Sequence, residues 1–129
     1  VAYSDGASRG NPGPAAYGIR IVAADGTELA SEGSAIGRAT NNVAEYRGAI
    51  AALEKARSLG IRHLELRLDS ELVVKQLNGE YRVKNAALAE LKKRVDRLAA
   101  GFATFRVRHV RRAENSETDR LANRALDAA

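Results

Sequence analysis

Val1-Ala2-Tyr3-Ser4-Asp5-Gly6-Ala7-Ser8-Arg9-Gly10-Asn11-Pro12-Gly13-Pro14 is the stretch around which the rest of the chain is arranged. Alternation places Val1, Tyr3 and Asp5 on one side of a strand, so the Asp5 carboxylate is expected to end a buried row. Three glycines and two prolines follow within nine residues, and they predict a backbone that turns tightly and stays accessible. An acid at a strand end beside an open loop suits metal or phosphate chemistry. It equally suits an Asp that only caps a turn, and the remainder of the chain has to decide.

Past the loop, Ala16 to Ala23 reads as a strand, Asp25-Gly26 as a hairpin turn and Thr27 to Ala35 as the returning partner. Three antiparallel strands therefore open the fold. After Gly37-Arg38-Ala39-Thr40-Asn41-Asn42, a helical pattern runs to Leu59 and stops at Gly60, with Val43, Tyr46, Ile50 and Leu53 on its core face. His63 to Asp69 alternates as a fourth strand, and Ser70 caps a helix that runs to Asn78-Gly79. A further amphipathic helix covers Ala86 to Ala100 through Leu88, Leu91, Val95 and Leu98. Phe102 to Val110 forms a fifth strand and Ser116 to Ala128 a last helix. Hairpin strands first, then strands alternating with helices, predict an α/β fold. Its five-stranded mixed sheet has three antiparallel strands, then parallel ones, with helices on both faces.

With 129 residues and no repeat or linker, the chain reads as a single domain spanning 1–129. Lys and Arg number 21 against 16 Asp and Glu, a net charge of +5. That surplus suits a polyanionic partner such as nucleic acid, and is also ordinary as a solubility margin. The lack of cysteine excludes a disulfide framework and thiolate metal sites and agrees with a cytoplasmic setting. No apolar run approaches a membrane span, and no signal peptide precedes the first strand, so no membrane partner is expected. A chain that opens without methionine reads as processed, or as a domain taken from a longer protein.

Four acids stand where strand and helix patterns would not spend them. Asp5 and Asp69 each end a strand, and a right-handed crossover through the long helix lays those strands parallel, so their carboxyl ends share one rim. Glu45 precedes Ala49 and Leu53 on a small, apolar helix face that rests on the sheet. Asp119 precedes Ala122 and Leu126 on the inward side of the last helix. Read singly, Glu45 and Asp119 each cap their own helix or pair with an arginine. Read together they need a counter-charge, because at an effective dielectric of ~20 and ~5 Å separation each like-charge pair costs about 3 kcal/mol. With no Cys and only His63 and His109, the counter-ion must take oxygen ligands, which favours Mg²⁺ or Mn²⁺ over Zn²⁺. Two such ions about 4 Å apart can activate water and stabilise the leaving oxygen of a phosphodiester.

The ordered segments Ser4-Asp5-Gly6 with Gly10-Asn11-Pro12-Gly13, Thr40-Asn41-Asn42-Val43-Ala44-Glu45, Leu68-Asp69-Ser70 and Glu114-Asn115-Ser116-Glu117-Thr118-Asp119 resemble those of type 1 ribonuclease H. The resemblance spans nearly the whole chain. It implies the ribonuclease H-like fold and a monomeric endonuclease that cuts the RNA strand of an RNA–DNA hybrid with two Mg²⁺ ions. Water attacks phosphorus, leaving a 5′-phosphate and a 3′-hydroxyl. Asp5, Glu45, Asp69 and Asp119 become the ligands, Asp5 bridging both ions.

By the same resemblance, Asn11, Asn41 and Asn42 face the minor groove, where polar groups read a ribose 2′-hydroxyl. Arg38, Thr40 and Asn85 grip a DNA-strand phosphate. Helix capping is the competing role for Asn41, Asn42 and Asn85. Other readings are a non-catalytic hybrid-binding module, a resolvase or transposase core, and a ribonuclease H domain from a reverse transcriptase or another fusion.

Three departures from the family stand out. The basic, Trp-bearing insertion of many members is replaced by the short Leu77-Asn78-Gly79-Glu80-Tyr81-Arg82-Val83-Lys84, leaving substrate binding to scattered Arg and Lys. Glu71 stands where relatives often carry Gln. The His that relatives place before the last helix is absent if His109 belongs to the fifth strand, and Arg112 is the expected substitute for its catalytic help.

Overall fold

Alternating small and branched residues draw the start of the chain into three antiparallel strands, β1 (Ala2–Ser8), β2 (Gly13–Val22) and β3 (Glu28–Ala39). The computed structural model describes residues 1–129 and continues with α1 (Asn41–Ser58), β4 (His63–Leu68), α2 (Glu71–Leu77), α3 (Ala86–Ala99), β5 (Thr104–His109) and α4 (Ser116–Ala128). A single 3₁₀ turn, Arg112–Asn115, leads into α4. The five strands lie in the order β3-β2-β1-β4-β5, with β4 parallel to β1 and β5 parallel to β4. This is the mixed α/β sheet the pattern predicts.

One sheet face carries Ala2, Ser4, Ile19, Ile21, Leu64, Leu66 and Leu68, all buried. Against it lies α1 through Ala44, Ala49, Ala52 and Ala56, whose small side chains let the helix axis come close; α3 packs on α1. The other face is covered by α4 over β1, β2 and β3, through buried Ala122 and Leu126. Helices therefore occupy both faces. The outward residues of β4 and β5 are half-buried or exposed.

Several boundaries move, each for a local reason. Asp5 does not end its strand: pairing with β2 carries β1 on to Ser8, so Asp5 lies inside it, opposite Gly18. The buried row is also the opposite one. Ala2 and Ser4 are fully covered by α1, whereas Val1 and Tyr3 are half-buried because α4 does not reach them. β3 runs to Ala39 rather than Ala35, passing a bulge at Ile36 before Gly37, which has φ +78°. Arg38 therefore sits on a strand, paired with Pro14. β2 begins at Gly13, which shrinks the open loop to Arg9–Pro12, while β5 is shorter at both ends than expected.

Candidate active site

Two close approaches bring the helices to the carboxyl end of β1. A Cβ on Gly6 would lie 2.3 Å from Glu45 N and 2.4 Å from Ala44 C, so α1 can rest on β1 only because residue 6 has no side chain. On the other face, a Cβ on Gly18 would lie 2.3 Å from Thr118 O and 2.9 Å from Ala122 N, so the same economy seats the start of α4. Glu45 and Asp119 are thereby delivered from opposite sides to the rim where Asp5 and Asp69 stand.

The four acids line one cleft of about 450 Å³, together with Gly6, Ser8, Asn41, Asn42, Ser70, Arg112 and Asn123. Asp5, Glu45 and Asp69 each offer a carboxylate oxygen within 4.8 Å of the others. Asp119 lines the cleft outside that tight group of three. Glu45 Oε1 accepts the Gly6 N–H at 2.9 Å, while its Oε2 is buried with no hydrogen-bond partner.

Burial, then the charges of Glu45 and Asp69, push the Asp5 carboxyl far above the usual carboxylate range. Burial also raises Glu45, against the opposing Gly6 N–H. Asp69 is raised by burial and drawn back by the Asn115 amide and the Arg112 charge. Crowded carboxylates held at an energetic disadvantage, one with an orphaned oxygen, fit a hard divalent cation bound through oxygen.

The remaining predicted residues divide. Asn41 and Asn42 line the cleft. Asn11 lies beside them, its Oδ1 accepting the Asn41 N–H at 3.1 Å and tying the open loop to the start of α1. Thr40 is the α1 cap, its Oγ1 accepting from Val43 N, so neither asparagine serves that purpose. Asn85 caps α3 by accepting from Leu88 N at 3.1 Å, and is exposed outside the cleft. Arg38 borders a separate groove with Arg9, Gly37 and Leu126.

Arg112 stands on the cleft wall, whereas Arg111 points to solvent, 88% exposed, with Glu114 at 3.4 Å. His109 ends β5 with Nε2 3.3 Å from Asp69 O and does not line the cleft. His63 is bound to Thr104 Oγ1 at 2.9 Å, a structural pair. Glu71 pairs with Lys75 at 3.0 Å on the surface of α2.

Two asparagines outside the predicted set stand beside the site. Asn115, almost fully buried, donates Nδ2 to Ser4 O at 2.9 Å and so pins the 3₁₀ turn onto β1 beneath Asp69. Asn123 sits one turn after Asp119 and donates to its carbonyl at 3.0 Å. The i, i+4 spacing from Asp119 was the available signal for Asn123.

Residues 3–125 match the reverse transcriptase-like family model. The chain is 52% identical over 128 residues to a ribonuclease HI of Halobacterium salinarum, covering 99% of this chain and 64% of that protein. It is 50% identical over 130 residues to a bifunctional protein of Mycobacterium tuberculosis, covering all of this chain and 36% of that one. The chain thus spans about two thirds or less of these curated relatives. The crystal structure of RNase H1 from Halobacterium salinarum superposes with a TM-score of 0.97, covering 99% of this chain and 97% of that one. LC11-RNase H1 in complex with RNA/DNA hybrid gives 0.93 at 37% identity, covering 98% and 96%. With this sheet order, this cleft and these matches over almost its whole length, the chain belongs to the type 1 ribonuclease H family.

Proposed function

We propose that this chain is an endoribonuclease domain that hydrolyses the RNA strand of RNA–DNA hybrids with two divalent ions, Mg²⁺ or Mn²⁺ in its place. The observation that carries this reading is the convergence of Asp5, Glu45 and Asp69 within 4.8 Å in a cleft shared with Asp119. The likeness to an RNase H1 crystallised with RNA/DNA hybrid supports the choice of substrate.

Asp5, Glu45, Asp69 and Asp119 would hold the ions. Bound there, divalent cations supply charge neutralisation and a nucleophilic water at neutral pH. The Gly6 N–H fixes one oxygen of Glu45 and leaves the other free. Asn41 and Asn42, steadied through Asn11, offer polar groups to ribose hydroxyls, so the strand carrying them is selected without reading sequence. Arg38, Thr40 and Asn85 hold a phosphate of the DNA strand. Arg112 faces the negative charge that grows on the phosphate during cleavage and draws the product away. Departure of the 3′ oxygen as water attacks leaves a 5′-phosphate and a 3′-hydroxyl.

The proposed unit is a monomer. The longer relatives support its being one domain of a larger protein. Labelled RNA–DNA hybrid, duplex RNA and duplex DNA incubated side by side with each metal test the reading. Hybrid is expected to be cut far faster than either homoduplex. Equal cutting of duplex DNA would favour the resolvase alternative, and binding without cutting the non-catalytic one.

A further inference from the structure

The sheet face that α4 leaves bare carries an ordered array of cations. Register pairs Tyr3 with Arg20 on one side and Arg67 on the other, and Arg67 with Arg108, so Arg20, Tyr3, Arg67 and Arg108 form one row across β2, β1, β4 and β5. The guanidiniums of Arg20 and Arg67 lie 5.6 and 5.5 Å from the Tyr3 ring centre. Arg106 follows in the next row, opposite Glu65. That glutamate carries most of the compensation, with Arg67 and Arg106 each at 2.7 Å and Arg108 at 3.8 Å. Glu28 binds Arg20 at 3.1 Å.

Four arginines thus face two glutamates on one solvent-facing surface. Charge on the edge strand β5 guards against unwanted strand pairing, and that accounts for Arg106 and Arg108. It does not account for Arg20 and Arg67, which sit on interior strands with no free edge to protect. Position supplies the rest. Tyr3 and Arg67 precede Asp5 and Asp69 by two residues, about 6.6 Å along a strand, and β5 continues through Arg111 to Arg112 on the cleft wall. The array therefore borders the carboxylate rim.

We propose that the part of this sheet face left uncovered by α4 binds single-stranded RNA continuing from the strand whose phosphate lies in the cleft. This rests on the hybrid-nuclease reading above, because the cleft then holds the RNA strand and Arg112 marks where it leaves. The contacts are guanidinium to phosphate, so recognition is independent of base sequence and weakens with salt.

The test compares a blunt hybrid with the same hybrid extended by about ten uridines at the 5′ or 3′ end of its RNA strand, or by thymidines on its DNA strand. Affinity is read in EDTA by fluorescence anisotropy, and cleavage of the blunt hybrid is read separately with Mg²⁺. One RNA extension is expected to tighten binding several-fold. Arg106→Gln with Arg108→Gln, both more than half exposed, is expected to remove that gain and leave blunt-hybrid binding and turnover unchanged. Arg20→Gln, on the other end of the row, is expected to reduce the gain without touching β5. The salt dependence of the gain should flatten by about 0.7 log units per log unit for each phosphate that no longer meets a guanidinium.

No gain from either RNA extension would overturn the proposal, as would a full gain in both variants, which would leave the arginines as edge guards or as a seat for an acidic protein segment. An equal gain from the DNA extension would overturn the choice of RNA. Failure to cut the blunt hybrid would instead count against the nuclease reading, and the binding arms would still report on the face.

Discussion

The Gly6 N–H donates to Glu45 Oε1 at 2.9 Å, joining two residues 39 positions apart through a strand–helix contact that no side chain at position 6 would allow. The close approach sets the depth of α1 on the sheet, and the bond sets the direction of the Glu45 carboxylate. Gly6→Ala is therefore expected to destabilise the fold by about 1–3 kcal/mol and to lower hybrid cleavage as Glu45 is displaced. Urea melts and a cleavage assay check both. Unchanged midpoint and activity would mean that α1 does not sit on β1 as described.

Stability should depend on pH with an unusual sign. Asp5, Glu45 and Asp69 all have carboxyls raised above their ordinary values, with burial the leading cause for each. Above the unfolded carboxylate range the folded chain still holds protons that the unfolded chain has released. The unfolded state then binds fewer protons, and stability falls as pH rises through the folded values. The metal-free protein is expected to melt lower at pH 8 than at pH 5 through these groups. Mg²⁺ should restore more at pH 8, where fewer protons need leave first. Thermal scans in EDTA and in Mg²⁺ at the two pH values measure it, and Asp5→Asn should flatten the slope.

Arg112 and Arg111 provide an internal control, one on the cleft wall and one turned to solvent beside Glu114. Arg112→Ala is expected to lower kcat far more than it raises KM, because a cation that meets charge developing on the phosphate acts in the transition state. Arg111→Ala should behave as a surface change. Steady-state kinetics decide: a rise in KM alone would make Arg112 a substrate holder and pass the loop role to His109, whose ring already touches the Asp69 carbonyl at 3.3 Å.

The convergence of Asp5, Glu45, Asp69 and Asp119 was legible because each sits on an element whose type and direction local pattern determines. Parallel strands bring Asp5 and Asp69 to one rim, and the small residues after Glu45 mark the helix face that meets the sheet. What was not legible depends on contacts distant in sequence. Asn115 matters through Ser4 O, 111 positions away, and nothing in its own neighbourhood announces that bond. The buried side of β1 is not legible in the sequence, because alternation identifies two faces without saying which one a helix will cover. Arg38 belongs to the strand because pairing with β2 continues past the bulge at Ile36, through Gly37 opposite Ala15. Thr40, Asn41 and Asn42 were all capable caps; the hydroxyl of Thr40 stands nearest Val43 N and takes that place.

Whether the carboxylate cluster is a metal-dependent nuclease centre is decided by hybrid cleavage by Asp5→Asn beside the parent, with Mg²⁺ and with EDTA. The change removes one of several crowded negative charges and keeps the shape of the side chain. Cleavage is expected from the parent only with metal and not at all from Asp5→Asn, and the mutant without metal should melt no lower than the parent. Robust cleavage by Asp5→Asn, or by the parent in EDTA, would contradict a metal-dependent centre.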